Sequence, residues 1–471
     1  MKTVVQKILT FITLGLLLAG SSLSIAAPAS KPNIIVVLID DMGWGDLSCY
    51  GGEAPTPAID RLAKEGIRFT NFYSNSPICS PSRVALTTGQ YPQRWRITSF
   101  LENRQGNKRR GMAQWLDPKA PVLARELKKA GYATGHFGKW HMGGQRDVGD
   151  APLITEYGFD KSLTNFEGLG PRVLPLLGGK GGKKHDLGSG NLGRGPIMWE
   201  DRSVITSSFV RDAVKFIDES RSAKKPFFIN LWPDDVHSPF FPPEELRKKN
   251  GKRALYHAVV TTMDKQLGVL FDRIRDDAEL RDNTMVVLLS DNGPEQGAGT
   301  TKHLKGTKGS LYEGGIREPL IVWAPGLMNK ESTGKTNTAS VLSSIDVNRS
   351  LHTLVGVPLA EGATPDGEDF SDTLMGKAER QRSAPIFWRR PPDRPGPPDA
   401  RFPDMAVRDG NWKCHVSYDG KKVALFDLSK DESETRDVAA GHPEVAERLS
   451  KAVLAWNAKL PADAGDPAFK P

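Results

Sequence analysis

A chain of 471 residues, 38% apolar and 25% charged, carries enough apolar side chains for a large core, which excludes an intrinsically disordered protein and suggests one big domain with a smaller one. The formal net charge of +8 is a mild basic bias that favours anionic substrates or surfaces. No basic tract is interleaved with aromatics, so nucleic acid is not an expected partner, and three cysteines are too few for a disulfide framework.

Residues 1–26 carry Lys2 and Lys7, the apolar run Ile8 to Leu18, and small residues ending Ser24-Ile25-Ala26, the pattern of a cleaved secretory signal. Its removal leaves a net charge of +6, because the segment holds no Asp or Glu. The run is short of the ~20 apolar residues a membrane span needs, and Leu18-Ala19-Gly20 is followed by Ser21 and not by a lipoprotein cysteine. No later stretch is long and apolar enough to span a bilayer. The expectation is an exported protein, periplasmic or secreted, without a membrane span.

From Asn33 to Ile39 the sequence is an almost unbroken run of Ile, Val and Leu, as expected for a strand buried on both faces of a parallel sheet. It stops at Asp40-Asp41. The same pattern recurs at Pro226 to Pro233, which runs into Asp234-Asp235-Val236-His237, and at Met285 to Ser290, which runs into Asp291-Asn292-Gly293. Amphipathic helices are predicted at Ala58 to Glu65, Ala120 to Ala130, Val204 to Glu219 and Tyr256 to Asp276. Strands alternating with helices give an α/β fold, a large and mostly parallel sheet sandwiched by helices. In such sheets ligands bind beyond the carboxyl ends of the strands, so the three polar clusters are expected at one edge. Asn107-Lys108-Arg109-Arg110 reads as a solvated loop, and Gly178 to Gly195 as a long surface loop near the substrate entrance.

After Gly376 the texture changes. Arg389 to Pro398 is Pro-rich, Met405 to Tyr418 and Val423 to Leu428 read as strands, and Pro443 to Lys459 reads as a helix. The domain reading is therefore a signal peptide at 1–26, an α/β catalytic domain at 27–376 and a smaller C-terminal α+β subdomain at 377–471. Cys49 and Cys414 either pair in an oxidising compartment or are both free.

Asp40, Asp41, Asp291 and Asn292 offer four side-chain oxygens with no imidazole or thiolate among them, a set that suits Ca²⁺ or Mg²⁺ and not zinc. Lys139 and His141, in Gly138-Lys139-Trp140-His141, are placed on a strand, where alternation would project both side chains the same way. His237 and Lys308 add two further cations or potential cations, which an anionic ester would make mutually favourable. Cys79 stands in Cys79-Ser80-Pro81-Ser82-Arg83. Alone, a cysteine beside a Pro-Ser turn is usually a small buried residue.

Together these stretches resemble the type I, formylglycine-dependent sulfatases of the alkaline phosphatase superfamily, whose maturation signal has a cysteine followed at fixed steps by Pro and Arg. The resemblance runs in motif order from Asn33 to about Pro325. It takes in Gly138-Lys139-Trp140-His141, Val236-His237-Ser238-Pro239, the Lys308-Gly309-Ser310 segment and the C-terminal Leu425-Phe426-Asp427-Leu428. Asp41-Met42-Gly43-Trp44-Gly45-Asp46-Leu47 is most similar to the arylsulfatase and N-acetylgalactosamine-6-sulfatase-like branch. Thr87-Thr88-Gly89 has Thr where an apolar residue is usual, and Asp234-Asp235 replaces neutral residues before His237, a change that bears on substrate choice.

The resemblance implies that a maturation enzyme oxidises Cys79 to formylglycine and that one Ca²⁺ is bound by Asp40, Asp41, Asp291, Asn292 and residue 79. It implies catalytic roles for Cys79, Arg83, Lys139, His141, His237 and Lys308, acting on a sulfated carbohydrate or aryl sulfate. The closest rival is a phosphodiester or phosphonate monoester hydrolase with the same formylglycine chemistry. No second cluster of His and Asp supplies a two-metal phosphatase site, which favours a singly charged sulfate. A catalytically silent glycan-binding relative is the other alternative, against which Cys79, Pro81 and Arg83 are all present. The sequence assigns no oligomeric state.

Overall fold

The computed structural model of the chain describes residues 31–165, 167–179, 181–247, 251–390 and 402–461. The expected signal segment and most of the Pro-rich stretch lie outside the described residues. The strands up to the second long helix pair are β1 (Asn33–Ile39), β2 (Ile67–Tyr73), β3 (Ala133–Gly138), β4 (Lys161–Leu163), β5 (Arg172–Leu177), β6 (Lys183–Lys184) and β7 (Ile197–Asp201). Then come β8 (Phe227–Trp232), β9 (Thr284–Ser290), β10 (Arg317–Trp323), β11 (Thr336–Asn337) and β12 (Leu342–Ser343). The last four are β13 (Ile386–Arg389), β14 (Met405–Asp409), β15 (Trp412–Val416) and β16 (Val423–Asp427). Six helices bear on the argument: α1 (Pro57–Glu65), α2 (Cys79–Thr88), α3 (Arg104–Arg109), α4 (Leu123–Lys129), α5 (Ile205–Ser222) and α6 (Lys252–Arg275).

The nine-stranded main sheet runs β11-β2-β10-β9-β1-β8-β3-β4, with β12 also paired to β2. From β9 through β1, β8 and β3 to β4 the pairings are parallel, whereas β10 is antiparallel to both β9 and β2. β1 is central, and all seven of its residues are buried. Ile34, Val36 and Leu38 face the layer built on α2, α4 and the helix Ser344–Leu354. Ile35, Val37 and Ile39 face the opposite layer of α1, α5 and α6. Each buried Ile or Val contributes roughly 1.5–3 kcal/mol of transfer free energy, so polar alternation would be costly on either side. The fold is thus the mixed α/β sandwich expected, with β1, β8 and β9 within a residue of the apolar runs.

Two local expectations are corrected. Arg104–Arg109 is the short helix α3, in which Asn107 is fully buried, so residues 107–110 are not a solvated loop. Within Gly178 to Gly195 only Lys183–Lys184 is a strand, β6, which pairs antiparallel with the preceding β5, while β7, parallel to β5, follows the segment, so the expected loop is tied to a small three-stranded sheet. Arg172 on β5 donates to the Ser189 carbonyl at 2.7 Å, a tertiary tie that sequence periodicity does not carry.

The C-terminal sheet, β13-β14-β15-β16, is antiparallel and is backed by the helix Pro443–Ala458 through Leu449 and Val453. The stretch from Met405 is a hairpin of β14 and β15, turned at Gly410 with φ 57°. Cys414 and Cys49 are both free. The two sheets meet at Tyr73, Ile386 and Trp388, and at a buried ionic knot in which Lys413 reaches Glu313 at 2.8 Å and Glu434 at 3.0 Å. Burial would raise the Glu313 carboxyl, but Lys413 and Arg408 hold it below the usual carboxylate range. Such a carboxylate stabilises the fold above its unfolded pKa and loses that contribution as pH falls. Lys413→Met strands two buried carboxylates and should cost about 3–5 kcal/mol at neutral pH. Denaturant titration should show that gap narrowing as pH falls from about 4, the unfolded carboxyl value, to about 2, where the paired Glu313 takes up its proton.

Candidate active site

β1 and β9 pair in register with Ile39 opposite Ser290, so the residues that follow each strand emerge side by side. Asp40, Asp41, Asp291 and Asn292 are all fully buried there. Asp41 adopts a left-handed φ of 57°, a strained conformation for a non-glycine residue. It is held by its own N–H donating to Asp291 Oδ1 at 3.0 Å and by the Met42 N–H donating to Ser290 Oγ at 3.1 Å. Asn292 Nδ2 donates to Asp41 Oδ1 at 2.8 Å. Just beyond, Asp46 shapes the loop by accepting from the Gly43 and Thr300 N–H groups, each at 2.7 Å, and from the Tyr256 hydroxyl.

Carboxylate oxygens of Asp40, Asp41 and Asp291 lie within 4.8 Å of one another. Among the described residues, Asn292 Oδ1 is buried without a hydrogen bond, and so is Asp40 Oδ1, whose one close cation is Arg83. Burial and the facing Asp40 push the Asp291 carboxyl up against the opposing pull of Arg83, as expected where carboxylates are crowded. An all-oxygen donor set with free lone pairs fits a hard divalent cation.

Cys79 is the first residue of α2, whose ten residues are all buried. Pro81 sits in the first turn, where a helix needs no N–H donor. One turn on, Arg83 donates through Nε and Nη2 to Asp291 Oδ2 at 3.1 and 2.8 Å, and through Nη1 to the Lys139 carbonyl at 2.8 Å. Its Nη2 is also 3.1 Å from Asp40 Oδ1, and the guanidinium stacks over Trp232. Lys139 Nζ reaches Asp40 Oδ2 at 2.7 Å, and Lys308 Nζ reaches Asp41 Oδ2 at 2.6 Å. His237 Nε2 is 3.7 Å from the same Asp41 oxygen, while its Nδ1 lies 2.7 Å from the Ser238 carbonyl. Burial alone would raise the Cys79 thiol, yet His141 and Lys139 bring it down to about 7.

Lys139 and His141 do not lie on a strand. β3 ends at Gly138, and His141 takes a left-handed φ of 54°. Their side chains part accordingly, Lys139 to Asp40 and His141 to Cys79 and to Glu167, whose Oε2 is 3.0 Å from His141 Nε2. Burial opposes charge on both members of that pair, but the mutual attraction holds Glu167 at about 2 and lifts His141 to about 9. Glu167 carries no motif, although it follows the strand β4 as the other polar clusters follow theirs.

Asp234 and Asp235 point inward. Asp234 accepts from Arg202 at 2.8 Å, and Asp235 accepts from the Thr206 hydroxyl at the start of α5. Arg202 also donates to the Asp234 carbonyl and, at 3.4 Å, to that of His237. The pair of aspartates therefore tethers the His237 loop and does not face the cleft as a substrate selector.

A helix-flanked sheet with a buried cysteine, carboxylates and cations gathered at the strand ends is the alkaline phosphatase-like fold. Residues 32–357 match the sulfatase family, and the chain belongs to that family as a sulfatase that hydrolyses sulfate esters. It is 30% identical to an N-acetylgalactosamine-6-O-sulfatase of Bacteroides thetaiotaomicron, over 90% of this chain and 92% of that one. It is 29% identical to Homo sapiens arylsulfatase A, over 93% and 90%. Among solved structures, Ps i-CgsB in complex with k-i-k-neocarrahexaose superposes with a TM-score of 0.75 at 27% identity, over 91% and 93% of the two chains.

Arg202→Met leaves Asp234 buried without its partner and should lower unfolding stability by about 3–5 kcal/mol. Turnover should fall with it, because the same guanidinium ties down the His237 loop, and paired melting and activity measurements read both effects.

Proposed function

We propose that the enzyme removes sulfate from a sulfated carbohydrate, or from an aryl sulfate in assays, using formylglycine at position 79 and a calcium ion. The observation that carries this reading is the convergence of Arg83, Lys139, His237 and Lys308 on the oxygen cluster of Asp40, Asp41, Asp291 and Asn292, with Cys79 and His141 beside those cations. The relatives named as N-acetylgalactosamine-6-sulfatases and the neighbour in complex with k-i-k-neocarrahexaose support a carbohydrate substrate. The proposal includes an exported protein with its catalytic domain at 27–376 and a C-terminal subdomain at 377–471.

When bound by Asp40, Asp41, Asp291, Asn292 and residue 79, calcium supplies a fixed positive charge for the sulfate oxygens. Formylglycine, once hydrated, supplies one hydroxyl to attack sulfur and a second through which sulfate is later released. Arg83 holds Asp40 and Asp291 in place and adds positive charge beneath residue 79. Lys308 and His237, both beside Asp41, bind the sulfate and pass a proton to the departing alcohol oxygen. His237 has its Nδ1–H committed to the Ser238 carbonyl, so Nε2 is the nitrogen that releases the proton. Proton transfer of this kind is worth roughly 10²- to 10⁴-fold in rate. His141, assisted by the Lys139 charge, takes the proton from the second hydroxyl.

Elemental analysis of protein purified without chelator should find one calcium per chain, and Asp40→Asn or Asp291→Asn should lose both the metal and turnover. Stoichiometric zinc without calcium would refute the ligand assignment.

Mass spectrometry across Phe69 to Arg83 should show loss of the Cys79 thiol and a hydrazide-reactive aldehyde, and Cys79→Ala should stay folded without turning over. The matured enzyme should favour an aryl sulfate over a matched aryl phosphate diester in kcat/KM. A preference for the diester would overturn the sulfate assignment.

A further inference from the structure

His141 is surrounded asymmetrically. Its Nε2 lies 3.0 Å from the Leu101 carbonyl and 3.0 Å from Glu167 Oε2, and both are acceptors only. Two acceptors on one ring nitrogen require that nitrogen to carry the proton. In the neutral ring the lone pair is then on Nδ1, which has no partner among the described residues. Cys79 lies beside the same imidazole, close enough for charge on one to attract charge on the other.

The environment of Glu167 has little other use for it. Glu167 is 3% exposed, and its Oε2 forms no hydrogen bond among the described residues, the 3.0 Å contact with His141 Nε2 being an ion pair beside the N–H that the Leu101 carbonyl accepts. Its backbone carbonyl accepts the His141 N–H at 2.7 Å, so main chain and side chain grip the same residue. The Leu101 carbonyl is fixed in turn, because the Leu101 N–H donates at 3.0 Å to Ser80 Oγ, one residue beyond Cys79. Burial opposes its charge, but the His141 charge first, and then those of Lys139 and Arg146, keep Glu167 ionised and therefore an acceptor.

We propose that Glu167 is the positioning residue of His141, holding the imidazole proton on Nε2 so that the Nδ1 lone pair faces residue 79 and can take the proton that lets sulfate depart. This inference rests on the mechanism proposed above. In that step the hydroxyl O–H proton moves to Nδ1, its oxygen forms the carbonyl with the residue 79 carbon, and the carbon–oxygen bond to sulfate breaks. No oxidant or reductant is consumed. Glu167 touches neither substrate nor metal ligand, and it acts only through His141.

The test uses the matured full-length enzyme and its Glu167→Gln and Glu167→Asp variants, on an aryl sulfate with alcohol and sulfate release followed separately. Loss of orientation should slow only the second half of the cycle. In Glu167→Gln, kcat should fall about 10- to 100-fold, the range for deleting a partner that orients a working side chain. KM should fall in proportion, leaving kcat/KM unchanged. Alcohol should appear in a burst of one per active site while sulfate lags, and Glu167→Asp should recover part of the rate. Histidine nitrogen NMR above about pH 9, where the His141 ring becomes neutral, should assign the Nε2–H form to His141 in the parent protein and lose that signature in Glu167→Gln. Equal losses in both half-reactions with no burst, or an unchanged kcat with an unchanged tautomer, overturn the inference. If Glu167→Gln does not fold, the burst and the NMR signature of Glu167→Asp decide by the same criteria. Turnover by protein whose Cys79 remains a plain thiol would instead refute the underlying mechanism, a result visible in the parent enzyme before any Glu167 variant is made.

Discussion

The constraint on which the site depends is the burial of like charges at one edge of the sheet. Asp40, Asp41 and Asp291 are fully excluded from water within a few ångströms of each other, an arrangement that carboxylates tolerate only with compensating cations. Arg83 and Lys139 provide part of that compensation from within the protein, and Lys308 adds more from a loop. The Asp40 carboxyl, which burial alone would raise, is driven well below its ordinary range by Lys139 and Arg83, whereas Asp291 stays high. The cluster is unevenly balanced, and the unpartnered oxygens mark where further positive charge fits.

The rest of the architecture keeps these charges in register. Parallel pairing of β1 with β9 places Asp40 beside Asp291, and α2 aims Arg83 at both while holding Cys79 at its first turn. The C-terminal sheet contributes at a distance. Lys413 and Glu434 grip Glu313, whose N–H also donates to Glu434 Oε2, just before β10 and after the loop that carries Lys308. The N–H of Gly309, next to Lys308, donates to the Pro77 carbonyl close to Cys79. The outer sheet is thereby linked, through these hydrogen bonds and ion pairs, to the segment that carries Lys308.

Much of this was legible in the chain because it is encoded locally. An unbroken apolar run such as Asn33–Ile39 has one economical environment, a strand covered on both faces, and its abrupt end at Asp40-Asp41 marks the edge where ligands bind. The errors came from reading short-range pattern where long-range contacts decide. Lys139 and His141 are two residues apart, yet the chain leaves β3 at Gly138 and sends their side chains to different partners. Asp234 and Asp235, which sequence comparison pointed toward substrate choice, are drawn inward by Arg202 and Thr206 from the start of α5.

By itself the sequence determined the α/β class, the strand-end clusters and the residue types that carry the chemistry, because periodicity and motif spacing act over a few residues. Only the tertiary structure decided which cation compensates which carboxylate, that Glu167 and the Leu101 carbonyl bracket one nitrogen of His141, and that the Gly-rich segment pairs into a sheet. Those outcomes are contacts between segments tens to hundreds of residues apart. They are set by the competition of buried charges for partners, which no local pattern records.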